Sequence, residues 1–450
     1  MYFNKESKEK FLTRAVSEEG FFYFAFSLLI LIPVCELITE CFGYPFISQP
    51  YLIGAYGICG TLLSLLRVAK LSEGKQKLTL YPSDVFYILL IVFAFISLVC
   101  STNFYYSLLG YDYDELIYHF LAYYSLMYAG TLIAAQKHRK KMLLAFGIAG
   151  ILQCISGFAQ SIGLELSYDY YTPKEYLEVR CAYGLTQNRN WYGGICVVFV
   201  ALFSGLYLFY RSSKRQYLYL FLAGLAMYCS LCSKSRLSCV GDLCVVLFYM
   251  ISFWIMRRQI DVRGCLRRLG ILLFAFLAAI ILAQLLDNAL WFNISRALNE
   301  RDKELIHMGS NRIYIWKYGL QSVPHHWLTG IGLDNYAQAF FENPSWHFPM
   351  FYQDKGHNEY IHILVTEGVF AAINYISMLI YSAHIGVKTV LHTDDEQERI
   401  ITWILLGMFI GYAGQAFFNS SVINVAPYFW TIVGLTMPKK HQKPLTHAQA

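Results

Sequence analysis

Apolar runs about as long as a bilayer is thick recur along the chain, separated by short polar segments. A helix that crosses the hydrocarbon core needs about 20 mostly apolar residues. Runs of that kind cover 21–40, 51–69, 84–101, 115–135, 142–163, 190–210, 216–232, 236–256, 270–286, 359–384, 399–418 and 424–437, those at 216–232 and 424–437 being short. The pattern predicts an all-α integral membrane protein with about twelve transmembrane helices. The first run follows Lys5, Lys8, Lys10 and Arg14 and ends at Glu36 and Glu40 with no small-x-small cleavage site. It therefore reads as a spanning helix rather than a secretion signal.

The polar segments orient these runs. With the N-terminus inside and strict alternation, the inside segments hold 25 of the 36 Lys and Arg residues. Segments such as "RSSKRQ" and "QKHRKK" are short and strongly basic, which is where the positive-inside bias carries most information. Both termini are expected in the cytoplasm. Two long segments then lie outside, at 164–189 and 287–358. The second far exceeds ordinary loop length, so function or independent structure is expected in it. Inside it, "NRIYIWKYGLQSV" spaces Ile313, Trp316, Leu320 and Val323 like one face of a helix. Such a helix, with Arg312 and Lys317 off the stripe, suits the membrane surface. Pro324, Gly330 and Gly332 mark turns before another short helix. No internal repeat or linker is visible, so residues 1–450 form one polytopic domain, and an inverted-repeat transporter has no support.

Composition sharpens this. Hydrophobic residues make up 56% and charged residues 15% of the chain, against about 25% charged in an ordinary soluble domain. The 36 Tyr and 33 Phe suit membrane interfaces. A net charge of +6 gives no reason to invoke nucleic acid. Most of the twelve cysteines lie in apolar runs (Cys59, Cys154, Cys196, Cys244) as small hydrophobes. Cys41 and Cys181 fall in loops from which a disulfide could form.

Three segments concentrate candidate chemistry. "CSKSRLSCVGD" puts Lys234 and Arg236 in a tight turn between two spans. A guanidinium offers a fork of donors matched to phosphate, although Arg236 could equally snorkel to lipid headgroups. Asp242, inside the following span, is either functional or a structural hydrogen-bond acceptor. "RCAYGLTQNRNWYGG" carries Arg180, Asn188, Arg189 and Asn190, with Asn190 placed to cap a helix. "KGHNEYIHILVTEGVF" begins charged and apparently solvated (Lys355, His357, Asn358, Glu359) and then turns apolar. His357 is a candidate base, while His362, five residues on, faces elsewhere. The "HNEYIH" spacing does not match a zinc-binding H-E-x-x-H helix, so no metal is expected.

With these residues in view, the chain resembles the bacterial O-antigen ligase and O-antigen polymerase superfamily over about residues 180–375. Four segments carry the resemblance in order: "RCAYGLTQNRNWYGG", with Arg189 where the family usually has proline; "SKSRLS"; "GSNRIYIWKYGLQSVPHHWLTGIGLDNY"; and "HNEYIHILVTEGVFA", with Ala371 in the last signature place. The resemblance implies a GT-C-like helical fold with a large extracytoplasmic loop between helices 9 and 10. It implies an inverting, cofactor-free and metal-independent glycosyltransferase in the bacterial cytoplasmic membrane, with its active site on the outer face. The donor would be an undecaprenyl-pyrophosphate-linked glycan and the acceptor a glycan or glycolipid hydroxyl, with membrane lipids around it and no nucleic acid. Arg236 and Arg312 take the place of the family's two key arginines, and His357 that of its histidine. Arg180, Asn190, Lys234, Lys317 and Asn358 fall in the same segments as substrate-binding candidates. The signature around His357 leans toward a ligase; a polymerase using a second lipid-linked repeat is the alternative. A flippase or transporter is the rival of another class. It predicts charges near the midplane, whereas most charges of interest here gather at one face.

Overall fold

The apolar runs fold as helices close to their expected bounds. A computed structural model describes residues 5–43, 48–73, 79–110, 115–164, 181–186, 188–210, 213–257, 261–299, 304–347 and 350–445. The first nine helices are α1 (Lys5–Ala15), α2 (Glu18–Cys41), α3 (Ser48–Glu73), α4 (Pro82–Val99), α5 (Phe104–Leu109), α6 (Ile117–Leu132), α7 (Gln136–Ser161), α8 (Arg189–Phe209) and α9 (Ser213–Cys232). They are followed by α10 (Arg236–Met256), α11 (Val262–Asp287), α12 (Ala289–Asn299), α13 (Met308–His326), α14 (Gln338–Phe341), α15 (Glu359–Glu367), α16 (Val369–His392), α17 (Glu396–Ala416) and α18 (Ala426–Thr436). Among the described residues, nine helices are long and apolar enough to span a membrane: α2, α3, α4, α7, α8, α10, α11, α16 and α17. The protein is a multi-pass membrane protein of helices. Three further runs expected to span became α6, α9 and α18, of 16, 20 and 11 residues. The expected run 359–384 is broken at Gly368 into α15 and α16.

Two helices organise the packing. α8 is apolar all round, and its sequence from Trp191 to Phe209 is buried throughout, as expected for the core of a bundle. It packs against α7, α9, α10 and α17. α6 plays the same part for α2, α3, α4 and α18. The α6–α18 crossing depends on two glycines. A Cβ on Gly434 would lie 2.0 Å from the Met127 carbonyl oxygen, and one on Gly130 would lie 2.7 Å from the Leu435 nitrogen. Small residues let two membrane helices approach backbone to backbone. By contrast α11 exposes Phe274, Leu277, Ile281 and Leu285 along its outer side, a face suited to lipid.

The long segment 287–358 carries its own structure, as expected. Besides the stripe expected to lie on the membrane surface, its helix α13 turns a second, inner face into the protein. Tyr314, Ile315 and Tyr318 pack with Ile331, Tyr336 and Phe340 in a satellite core, whereas Ile313 and Leu320 of the expected stripe are exposed. The aromatic rings of Tyr314 and Tyr318 supply the apolar area of that inner face. Pro324 lies within α13 rather than ending it. All twelve cysteines are free, Cys41 and Cys181 included. Most of segment 164–189 lies outside the described residues.

The glycine contact at α6–α18 makes a direct prediction. Gly434→Leu should lower the thermal unfolding midpoint of the purified protein, since overpacking a core contact costs about 1–3 kcal/mol. Gly270→Leu, on a position with no atom within 4 Å of a built Cβ, should leave the midpoint unchanged. Equal shifts in the two variants would mean that the close crossing does not limit stability.

Candidate functional site

The segment leading into α15 is set by three local devices. Asn358 is the N-cap of α15: its side-chain oxygen accepts from the backbone N–H groups of Tyr360 and Ile361, each at 3.0 Å, satisfying donors that a first turn leaves open. His357, just before it, is held at φ 46°, a left-handed conformation uncommon for a non-glycine residue. Surrounding bonds hold that turn. The Trp316 indole N–H donates to the Gly356 carbonyl at 3.0 Å, and the Gly356 N–H donates to His362 Nδ1 at 3.2 Å. The His362 ring stacks on Tyr336 with centroids 5.6 Å apart. His362 is therefore a buried support for the turn.

At the other end of α15 the Gly-x-Gly turn closes the helix. The Ile331 N–H donates to the Val365 carbonyl at 3.0 Å and the Gly332 N–H to the Thr366 carbonyl at 3.1 Å. A Cβ on Gly330 would lie 2.2 Å from the Thr366 carbonyl group, so only glycine fits that approach. The Val369 N–H then bonds the Trp327 carbonyl at 2.8 Å. These bonds explain why the expected continuous helix stops at Gly368.

The start of this segment, read from sequence as solvated, is buried. Lys355, Asn358 and Glu359 are 3%, 1% and 6% exposed. Lys355 Nζ pairs with Glu115 Oε2 at 2.5 Å and with Asp334. Glu115 also accepts from the Tyr123 hydroxyl at 2.6 Å. Burial alone would lower the Lys355 pKa, but Asp334 and Glu115 hold it above the ordinary lysine range. Asp334, chiefly through burial, is raised to about 7. Glu115, Lys355 and Asp334 were not expected as a cluster from sequence, where Lys355 reads as a solvated charge. The one available signal was their position beside a re-entry point and a Gly-x-Gly turn.

His357 is partly buried, with Nε2 3.4 Å from the Gln353 side-chain oxygen. Donation by Nε2 there leaves Nδ1 with its lone pair. Burial, then the charges of Arg312 and Lys355, push its pKa down to about 3. The ring is thus neutral at physiological pH, as a base must be. The same effect places Arg312 within electrostatic reach of it. Arg312 is anchored by Nε to the Phe418 carbonyl at 2.9 Å and by Nη1 to the Gly309 carbonyl at 2.7 Å. Gly309, Ser310 and Asn311 all have positive φ, a left-handed turn at the start of α13. Arg236, at the first position of α10, reaches this turn with Nη2 3.4 Å from Ser310 Oγ. Arg236, Arg312 and His357, far apart in sequence, are thus gathered at one end of the bundle.

The remaining expected residues are placed differently. Lys234, at φ 52°, forms a buried ion pair with Asp287 at 3.1 Å. Its ammonium lies 5.5 Å from the Phe292 ring centroid, which Arg189 and Arg296 approach at 5.8 and 5.6 Å. Lys317 is exposed over the Tyr318 ring at 6.0 Å. Asn190 is not the cap of α8. Asn188 holds that position, accepting from the Asn190 N–H at 2.8 Å, because a cap precedes the first helical residue and the helix starts at Arg189. Arg180 lies outside the described residues. Asp242 accepts from the Ser230 hydroxyl of α9 at 2.6 Å, the structural alternative named for it. A cavity of about 20 Å³, lined in part by Glu115, Glu359, His362 and Glu367, lies behind the turn, with room for about one water.

Comparison with known proteins adds one finding. Residues 218–376 match the sequence model of the family described as O-antigen ligase. The matched stretch contains Lys234, Arg236, Arg312, Lys317, His357 and Asn358 and leaves Arg180 and Asn190 outside. No curated protein matches the chain.

The Lys355 cluster predicts a pH-dependent defect. In Lys355→Met, Glu115 and Asp334 remain buried without their cation, a loss of about 3–5 kcal/mol. Lys355 itself stays protonated across this range in the wild type, because its folded-state pKa is the raised one. The variant's orphaned carboxylates are relieved by protonation as pH falls. Its deficit in thermal unfolding midpoint should therefore be large at pH 7.5 and smaller at pH 5; a deficit that grows toward pH 5 would contradict the assignment.

Proposed function

We propose that this chain, whose residues 218–376 match the sequence model of the O-antigen ligase family, transfers a glycan from a polyprenyl pyrophosphate, of the undecaprenyl type, to an acceptor hydroxyl at the outer face of the cytoplasmic membrane. The observation that carries this reading is the meeting of Arg236 and Arg312 at one left-handed turn, with neutral His357 within reach of Arg312's charge.

The chemistry follows from those residues. The leaving group is a pyrophosphate, so negative charge grows on it as the glycosyl bond breaks. Two fixed guanidiniums suit that charge, because preorganised donors stabilise a transition state without reorganising. His357 takes the proton from the acceptor hydroxyl, a contribution of about 100- to 10,000-fold where a general base operates. Attack on the face opposite the pyrophosphate inverts the anomeric centre. The arginines do the electrostatic work that a divalent ion does in other transferases. The signature around His357 favours a ligase over a polymerase.

The direct experiment supplies the purified protein with a lipid-pyrophosphate glycan and two acceptors, a terminal acceptor glycolipid and a second lipid-linked repeat. Single additions to the first support a ligase and lengthening products on the second a polymerase. Absence of product with glycolipid crossing the bilayer would replace both with a flippase.

Residue-level outcomes are equally definite. His357→Ala should abolish transfer while the protein still reaches the membrane; full activity would remove His357 from the chemistry. Arg236→Lys should impair turnover although charge is kept, since the bidentate fork is lost. Wild-type turnover would favour headgroup snorkelling. The low pKa of His357 in the free protein keeps its basic form to well below pH 6.5, so the acid limb of kcat/KM, which reports the free protein, should not fall at the ordinary histidine pKa. A limb at 6.5 would show a solvated histidine instead.

A further inference from the structure

The end of the bundle away from His357 holds a second site. α3 and α4 both pack on α6, and between them runs a cleft of about 480 Å³, within the range of ligand sites. Its walls are apolar along most of their length, with Leu65, Val68 and Leu71 from α3 and Ile88, Ile91 and Val92 from α4. Leu65, Val68, Ile88 and Val92 are exposed at its mouth, which faces the side of the bundle. Its floor is buried, with Ser64, Tyr87 and Tyr128 at 5%, 7% and 6% exposure. One end is polar: Arg67, Tyr81, Asp84 and Lys439 meet there. Arg67 donates by Nη1 to the Val16 carbonyl at 2.6 Å. Lys439 pairs with Asp84 and lies 4.8 Å from the Tyr128 ring centroid. Two cations against one carboxylate leave this end net positive.

An apolar trough open to the bilayer, with a cationic end at the polar boundary, has the two-part chemistry of an acidic lipid. We infer that the α3–α4 cleft binds an anionic glycerophospholipid, with one acyl chain along the trough and the headgroup phosphate between Arg67 and Lys439. The basic end is the one the loop charges assign to the cytoplasmic side, where an inner-leaflet lipid would enter. The cleft is remote from the His357 turn: Ser97, near the other end of α4, donates to the Thr366 carbonyl at 2.7 Å. The inference therefore rests on the protein being a membrane protein and not on the reaction proposed for it.

The test uses the full chain in phosphatidylcholine nanodiscs containing a trace of phosphatidylglycerol with a diazirine in one acyl chain, or the matching phosphatidylcholine probe. Photolabelled peptides should come mainly from residues 61–71 and 80–92. Phosphatidylglycerol should label them about fivefold more than phosphatidylcholine, the ratio expected for one net basic side chain at a membrane surface. Arg67→Gln should bring the two probes level. Leu65→Trp, at an exposed position that tolerates bulk, should reduce labelling by both probes without changing the unfolding midpoint. That variant keeps the test valid if Arg67→Gln fails to fold. Labelling spread equally over the lipid-facing side of α11 would overturn the inference in favour of a general lipid annulus. So would equal labelling by both probes of the wild-type protein. Competition by free glycerol 3-phosphate would identify a soluble-phosphate site instead. Glycan transfer by Leu65→Trp, measured in parallel, separates loss of this site from failure of the proposed reaction.

Discussion

The buried ammonium of Lys355 is the constraint on which the His357 end of this bundle depends. It is almost fully removed from water, and it is matched by Glu115 at the entry to α6 and Asp334 in the Gly-x-Gly turn. Three segments remote in sequence are thus pinned to one charge. A charge in a low-dielectric interior tolerates little displacement of its partners, because separation leaves each of them desolvated and unpaired. His357 lies two residues beyond that pin. Its left-handed turn is held on one side by Lys355 and on the other by the Asn358 cap. The position of the ring is therefore set by the ion cluster as much as by α15.

The break at Gly368 follows from the same need. A single helix from Glu359 to His392 would use its own backbone hydrogen bonds throughout and offer none to the loop. Interrupting it frees the Val365 and Thr366 carbonyls, and these accept the N–H groups of Ile331 and Gly332, while Thr366 also accepts from Ser97. The loop, α4 and α15 become one hydrogen-bonded unit. Asp334 rides on this unit, so the turn that closes α15 also delivers a carboxylate to Lys355. Backbone continuity is exchanged for registration between elements that the sequence order does not bring together.

Much of this was legible before the fold was seen, and the misses share a physical cause. Helix runs, the tight turn at Lys234–Ser235 and the helical content of 287–358 follow from hydropathy and turn chemistry, which are local. What failed required knowing a partner. Lys355 looked solvated because nothing near it in sequence reveals Glu115. The stripe of α13 expected at the membrane surface gave no sign of its inner face, where Tyr336 and Phe340 from beyond the Gly-x-Gly turn bury Tyr314 and Tyr318. Lys234 looked available for an anion until Asp287, at the end of α11, was seen beside it. The cap of α8 moved from Asn190 to Asn188 because the helix begins one turn position earlier than the apolar run.

Under the proposed role for His357, the cations around it also bear on when it would act. Arg312 and Lys355 both disfavour a proton on the ring, so in the free protein it is a neutral but weak base. Under the proposed assignment, the pyrophosphate of the donor lies against Arg236 and Arg312 and offsets positive charge beside the ring. A neighbouring anion raises a histidine pKa, and a stronger base forms a more stable imidazolium. Donor binding would then raise the basicity of His357 where the acceptor proton must go. Without the pyrophosphate, the same ring holds a proton poorly, which disfavours proton abstraction from water before a donor is in place. The two arginines would thereby couple leaving-group stabilisation to base strength through one electrostatic field, with the Lys355 cluster fixing the distance over which that field acts.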